Sequence, residues 1–116
     1  MSSHHYEKFF SENLRPRTHF TPARNWINDP NGLVYYKGKY HLFFQHNPEG
    51  ILWGNMSWGH SVSTDLLHWE HLPVAIPFTP TSGIFSGSAV LDIKNTSGFG
   101  SLDNSPLVAI YTVHQN

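Results

Sequence analysis

Apolar residues along this chain fall in short β-prone runs separated by clusters of Gly, Pro, Asn, Asp and Ser. The runs are Leu33–Tyr36, Tyr40–Gln45, Trp58–Val62, Trp69–Leu72, Ile84–Ile93 and Leu107–Val113. Turn chemistry punctuates them. Asn31-Gly32 reads as a turn that reverses the chain into the first strand, and Lys37-Gly38 as a hairpin between the first two. Asn47, Pro48 and Gly50 open a loop, and Pro73 is read as the end of the fourth strand. Pro77, Pro80, Ser82 and Gly83 form a connection, and residues 95–106 form a turn-rich loop. Ser63-Thr64-Asp65-Leu66-Leu67 reads as a single helical turn with Asp65 as its cap. Sustained helical periodicity is absent, so the pattern predicts an all-β fold: a sandwich, barrel or propeller. The first four strands occupy about 45 residues, the length of one four-stranded propeller blade. The remaining two would begin a second blade. No internal sequence repeat joins the two groups, so the propeller reading rests on spacing.

Residues 1–18 are polar and irregular and read as a flexible tail, with residues 19–116 as the folded portion. Ser2, Ser3, His4 and His5 are expected to be mobile, with Phe9 and Phe10 able to pin the tail to a surface. Pro16 and Pro22 bias the stretch between them toward extended backbone.

Composition narrows the function. Of 116 residues, 39% are hydrophobic and only 13% charged, which excludes a disordered chain. Seven Lys and Arg against eight Asp and Glu leave no basic excess for a nucleic-acid backbone or an anionic membrane. The absence of cysteine removes thiol nucleophiles, disulfides and Cys-based zinc sites. Nine histidines invite a metal, but none falls in an H-E-x-x-H or helical i, i+4 pair, so no metal and no cofactor is expected. No apolar run is long enough to span a bilayer as a helix. The first thirty residues hold no apolar signal-peptide core, which favours a cytoplasmic over a secreted form. Asn55-Met56-Ser57 and Asn95-Thr96-Ser97 are glycosylation triplets that matter only on a secretory route. Met1 reads as a true start, whereas the chain breaks off just after its sixth strand. The expectation is a longer protein whose C-terminal part is missing.

Four clusters can carry chemistry. In Trp26-Ile27-Asn28-Asp29-Pro30-Asn31-Gly32, Pro30 biases Asp29 toward extended backbone and gives its carboxylate a defined direction. Taken alone, D-P-N-G is also an ordinary turn. In Phe43-Phe44-Gln45-His46-Asn47-Pro48, the Gln45 and Asn47 amides can pair with hydroxyls as donor and acceptor. In Trp53-Gly54-Asn55 and Trp58-Gly59-His60, aromatics beside amides suit a sugar, with Trp58 assigned to the core and Trp53 to a ligand. In Gly83-Ile84-Phe85-Ser86-Gly87-Ser88, small residues around one Phe permit close approach. The frame for a G-x-S-x-G serine nucleophile is missing there.

In this order, together with His19-Phe20-Thr21-Pro22 and the run from Trp53 to Trp69, these clusters resemble glycoside hydrolase family 32, the β-fructofuranosidases. That family comprises invertases, exo-inulinases and levanases. Asn95-Thr-Ser-Gly-Phe-Gly100 is similar to its fungal and yeast branch. The resemblance covers residues 19–113 and implies the N-terminal part, about one and a half blades, of a five-bladed β-propeller. It implies that Asp29 is the catalytic nucleophile of a retaining hydrolase. Trp26, Asn28, Gln45, Trp53, Phe85 and Ser86 would line the site for a terminal β-fructosyl unit of sucrose or a fructan. Two positions depart from the family pattern: Ile27 stands where Met is common, and His46 where Tyr is common.

The family draws its acid/base from a Glu-Cys motif and a stabilising Asp from an Arg-Asp-Pro motif. Neither motif occurs in these residues, so the chain by itself is expected to be inactive. A fructosyltransferase of the same family and a non-catalytic carbohydrate-binding module are the competing readings. Preference among sucrose, inulin and levan, and the oligomeric state, are left open by the sequence.

Overall fold

A computed structural model describes residues 11–116. It contains six strands in two antiparallel sheets. Strands β1 (Ile27–Tyr36), β2 (Lys39–His46), β3 (Ser57–Ser63) and β4 (Glu70–Ile76) form a four-stranded meander in the order of the chain. Strands β5 (Ser82–Leu91) and β6 (Leu107–Gln115) pair as a separate hairpin. All six expected strands are present, and the described residues contain no helix.

Sequence chemistry explains the joints. Lys37 and Gly38 both adopt positive φ, 49° and 80°, the backbone that a two-residue hairpin matched to strand twist requires. The expected helical turn after β3 is instead a run of bends in which Leu66 has a φ of 67°. Its capping chemistry is nevertheless in place. Ser63 Oγ accepts from the amides of Asp65 and Leu66, and Asp65 Oδ1 accepts from those of Leu67 and His68. These side chains satisfy the amides of the bend, and the positive φ at Leu66 breaks the helical path.

Pro73 does not end β4; the strand continues to Ile76. Proline is tolerated because β4 is an edge strand and its register on β3 shifts between the Trp58 and His60 pairings. Asn31-Gly32 is likewise not a turn but lies inside β1. β1 begins at Ile27 and carries two register shifts, between the Ile27 and Pro30 pairings and between those of Pro30 and Gly32. Each is a bulge that places one extra residue in β1. Gly32 is required for close approach: a Cβ there would lie 2.9 Å from Ala89 of β5.

The core lies between the sheets. Phe43, Trp58 and Ile84 form its centre, with Ile76, Ala89, Leu107 and Ala109 packed around them. Trp58 is only 1% exposed, as its core assignment requires, and its indole N–H donates to the Phe85 carbonyl at 2.9 Å. The opposite face of the four-stranded sheet is covered by the segment leading into β1. There the Phe20 ring lies 4.9 Å from Phe44 and 5.4 Å from Trp69. Arg15 anchors that segment, donating to Thr21 Oγ1 and to the carbonyls of Pro22 and Ala23. The expected tail therefore divides. Residues 1–10, with the serines, histidines and phenylalanines singled out there, lie outside the described residues, while Arg15 belongs to the packed structure.

Candidate active site

The two bulges in β1 decide where its polar side chains go. Bulges bend a strand and re-aim its side chains. Here the first falls around Asn28 and Asp29 and the second at Asn31, on either side of Pro30, which has no N–H to offer a ladder. Asp29 is thereby exposed, while Asn31, two residues on, is buried at 2% exposure.

Asp29 meets β5. Ser86 Oγ donates to Asp29 Oδ2 at 3.0 Å, joining residues 57 apart in sequence across the two sheets. Beside this pair opens a recess of about 350 Å³. Asn28, Asp29, Gln45 and Ser86 supply its polar wall, and Trp53, Met56, Phe85 and Thr112 complete it. Asp29 is the only carboxylate on that wall among the described residues.

The aromatic side is held firmly. Trp53 is 60% exposed, with its ring edge-on to Phe85 at 6.3 Å. Its loop is fixed from within by Asn47, whose Nδ2 donates to the Leu52 carbonyl and whose Oδ1 accepts from the Glu49 amide. Both ends of the Asn47 amide are thus occupied inside the loop, and its reading as a hydroxyl partner gives way to a structural one. The Ile84 amide donates to the Met56 carbonyl at 2.8 Å, tying the same loop to β5. A ring face flanked by amides is the surface that a sugar's C–H groups and hydroxyls require.

Six of the seven residues anticipated for the site, Asn28, Asp29, Gln45, Trp53, Phe85 and Ser86, line this one recess. Trp26 stands one step behind: its indole N–H donates to Asn28 Oδ1 at 3.2 Å. His46 bonds the Trp26 carbonyl through Nδ1 at 2.8 Å, and the Asn47 amide donates to the same oxygen. Burial lowers the His46 pKa, outweighing the opposing effect of that hydrogen bond. His46 thus secures the backbone that carries Trp26.

Asn31, part of the expected turn, instead lies in β1 and connects the site. Its surroundings set the amide orientation. Oδ1 accepts from Gln45 Nε2 at 3.0 Å and the Gln45 amide at 3.2 Å and shares the Trp58 indole proton, at 3.0 Å, with the Phe85 carbonyl, while Nδ2 donates to Ser86 Oγ at 3.3 Å. Gln45 Nε2 also donates to the Ile84 carbonyl at 2.9 Å, so this buried side chain ties β2 to both β1 and β5. Met56 and Thr112 were also missed, because an apolar loop residue and a strand threonine carry no local signal for a site. No group of three or more His, Cys, Asp or Glu able to hold a metal occurs among the described residues.

The profile of the glycosyl hydrolases family 32 N-terminal domain matches residues 19–116. The chain belongs to that family. It is 60% identical over 104 residues to a levanase of Bacillus subtilis, covering 90% of this chain and 15% of the levanase. The crystal structure of an exo-inulinase from Aspergillus awamori superposes with a TM-score of 0.86 at 54% identity, over 91% of this chain and 22% of that one. A β-fructofuranosidase of Schwanniomyces occidentalis, solved with fructosyl-erythritol, gives a TM-score of 0.78 at 49% identity, over 85% and 21%. The chain therefore spans between 15% and 22% of the length of these relatives. In this family 32 domain the β1–β4 sheet is one blade and the β5–β6 hairpin opens the next, within a five-bladed β-propeller.

Proposed function

We propose that the protein carrying this family 32 domain is a retaining β-fructosidase that releases terminal fructose from sucrose or fructans, with Asp29 as its nucleophile. One observation carries the reading. A carboxylate with one oxygen held by Ser86 stands at the edge of a recess walled by Trp53 and Phe85 and by the amides of Asn28 and Gln45. The names of the relatives agree with it: levanase, exo-inulinase and β-fructofuranosidase.

Asp29 Oδ1 attacks the anomeric carbon of the fructosyl unit as the bond to the leaving oxygen breaks, giving a fructosyl ester on Asp29. A second carboxylic acid gives its proton to the leaving oxygen, then takes a proton from the water that hydrolyses the ester. In retaining enzymes the two groups stand about 5–5.5 Å apart. No such partner faces Asp29 among the described residues, and we infer that residues 1–116 alone do not turn a fructosyl unit over. The Ser86 hydrogen bond fixes the carboxylate rotamer, Trp53 offers a face to the sugar, and Asn28 offers polar contacts to its hydroxyls.

The reading is tested in the full-length protein by Asp29→Asn, which is nearly isosteric. Removing a nucleophile is expected to lower kcat on sucrose or inulin by at least about 10³-fold, with the melting temperature little changed. Turnover near the native rate would refute the assignment. Products would also separate hydrolysis, which yields free fructose, from transfer, which yields lengthened oligosaccharides.

A further inference from the structure

Ser86 has one hydroxyl proton, and its destination matters. Directed at Asp29 Oδ2, it holds the carboxylate in place; directed elsewhere, it leaves the carboxylate free to rotate. Something must choose, because a hydroxyl turns freely about its C–O bond.

The choice is made behind it. The Asn31 amide cannot flip without presenting its NH2 group to two donors of Gln45, Nε2 and the backbone amide, and to the indole N–H that Trp58 shares with the Phe85 carbonyl. Its Oδ1 therefore stays among those donors, and its Nδ2 must face Ser86. Because Nδ2 donates to Ser86 Oγ, the Ser86 proton is turned away from Asn31 and toward Asp29. The hydrogen bonds run in one direction, from the buried core to the carboxylate. At 2% exposure, Asn31 is shielded from water that could substitute for its amide.

We propose that Asn31 is a positioning residue for Asp29, acting through the Ser86 hydroxyl. This rests on the reading of Asp29 as the nucleophile. Asn31 need not touch the substrate. It sets the polarity of a relay that keeps Oδ2 occupied and leaves Oδ1 to attack.

The discriminating substitution is Asn31→Asp. It retains an acceptor for Trp58 and Gln45 but replaces the Nδ2 donor with a second acceptor, which draws the Ser86 proton away from Asp29. The experiment compares Asn31→Asp, Asn31→Ala, Ser86→Ala and the double variant Asn31→Asp/Ser86→Ala in the full-length protein, with kcat, KM and melting temperature for each. Misplacing a reacting group costs up to about 100-fold, so each single variant is expected to lose about 10- to 100-fold in kcat, with KM for sucrose moving less. The double variant should fall no more than about 3-fold below Ser86→Ala, because both changes break the same relay. Asn31→Ala lacks the buried charge of Asn31→Asp, so a loss of kcat common to both separates positioning from instability. Full additivity, or native kcat in folded Asn31 variants, would overturn the proposal while leaving the fructosidase reading intact. A native protein that releases no fructose would overturn that reading, and the proposal with it.

Discussion

The two sheets of this domain differ in how far they are finished. In the four-stranded sheet, β3 is buried along nearly its whole length. One face of this sheet packs on Ile84 and Ala89, and the other carries Phe44 of β2 beneath Phe20. In the two-stranded sheet, β6 is exposed from Ile110 onward, with Ile110 at 65% and Val113 at 49% exposure. The first sheet has both faces covered, one by the hairpin and one by the segment before β1, whereas the second shares that core on one side and presents apolar side chains on the other. The candidate site sits where the two meet. Asp29 and Asn31 come from the finished sheet, and Phe85 and Ser86 from the unfinished one. Its geometry therefore depends on how firmly β5 docks on β1.

The largest expected effect comes from the residue shared by both sheets. Trp58 fills the space between them and donates to the Phe85 carbonyl. Trp58→Ala should cost about 3–5 kcal/mol, as large-to-small core changes do. Chemical denaturation of the full-length protein measures this, and a loss below about 1 kcal/mol would show that the sheets do not share a core.

Smaller effects separate docking from pairing. Gly32→Ala pushes a methyl against Ala89 between β1 and β5, whereas Gly87→Ala drives one into the Ile110 carbonyl within the hairpin. Each should destabilise by about 1–3 kcal/mol, the usual cost of overpacking. Both should lower kcat beyond their cost in stability, Gly32→Ala by pushing β1 off β5 and Gly87→Ala by shifting the neighbouring Ser86. Native kcat in either folded variant would show that the contact between Asp29 and Ser86 does not depend on how β5 sits.

A pH effect isolates the first sheet. His60 stacks on Phe43 and shares a 3.0 Å hydrogen bond with His41, and burial, with His41 beside it, lowers its pKa from 6.5 to about 4. Burial also lowers His41 and His71. Below pH 6.5 the unfolded chain binds protons that these folded imidazoles refuse. Their contribution is fully present above that value and is lost as pH falls toward about 4. The melting temperature should drop across that interval, and His60→Leu should flatten the slope. A pH-independent melting temperature would contradict it.

The smallest effect falls on the second sheet. Ile110→Lys on exposed β6 should change the stability of the 116-residue chain by less than about 0.5 kcal/mol while reducing its self-association. Light scattering at matched concentrations reads the difference. A strictly monomeric native chain with a sharp cooperative melt would mean that the open edge is harmless.

Much of this was legible in the sequence because strands and loop positions follow local chemistry. The six apolar runs, the Lys37-Gly38 hairpin and the burial of Trp58 all depend on residue type and spacing. The misreadings share one cause. Asn31-Gly32 and Pro73 carry turn chemistry but lie in bulged edge strands, and only the neighbouring strand's register shows that. Ser63 and Asp65 carry capping chemistry, but the left-handed Leu66 denies them a helix. Asn31 escaped notice because its importance lies in partners from β2, β3 and β5, distant in sequence. The site residues follow from resemblance to a family rather than from their own chemistry, since D-P-N-G alone reads more readily as a turn.

The account centres on Asp29 as a nucleophile held at the junction of the two sheets. The most direct test is rapid-quench mass spectrometry of the full-length protein with a fructosyl donor bearing an activated leaving group. The account predicts a transient fructosyl adduct on the peptide containing Asp29, absent in Asp29→Asn. Steady turnover with the adduct on a different carboxylate would contradict it.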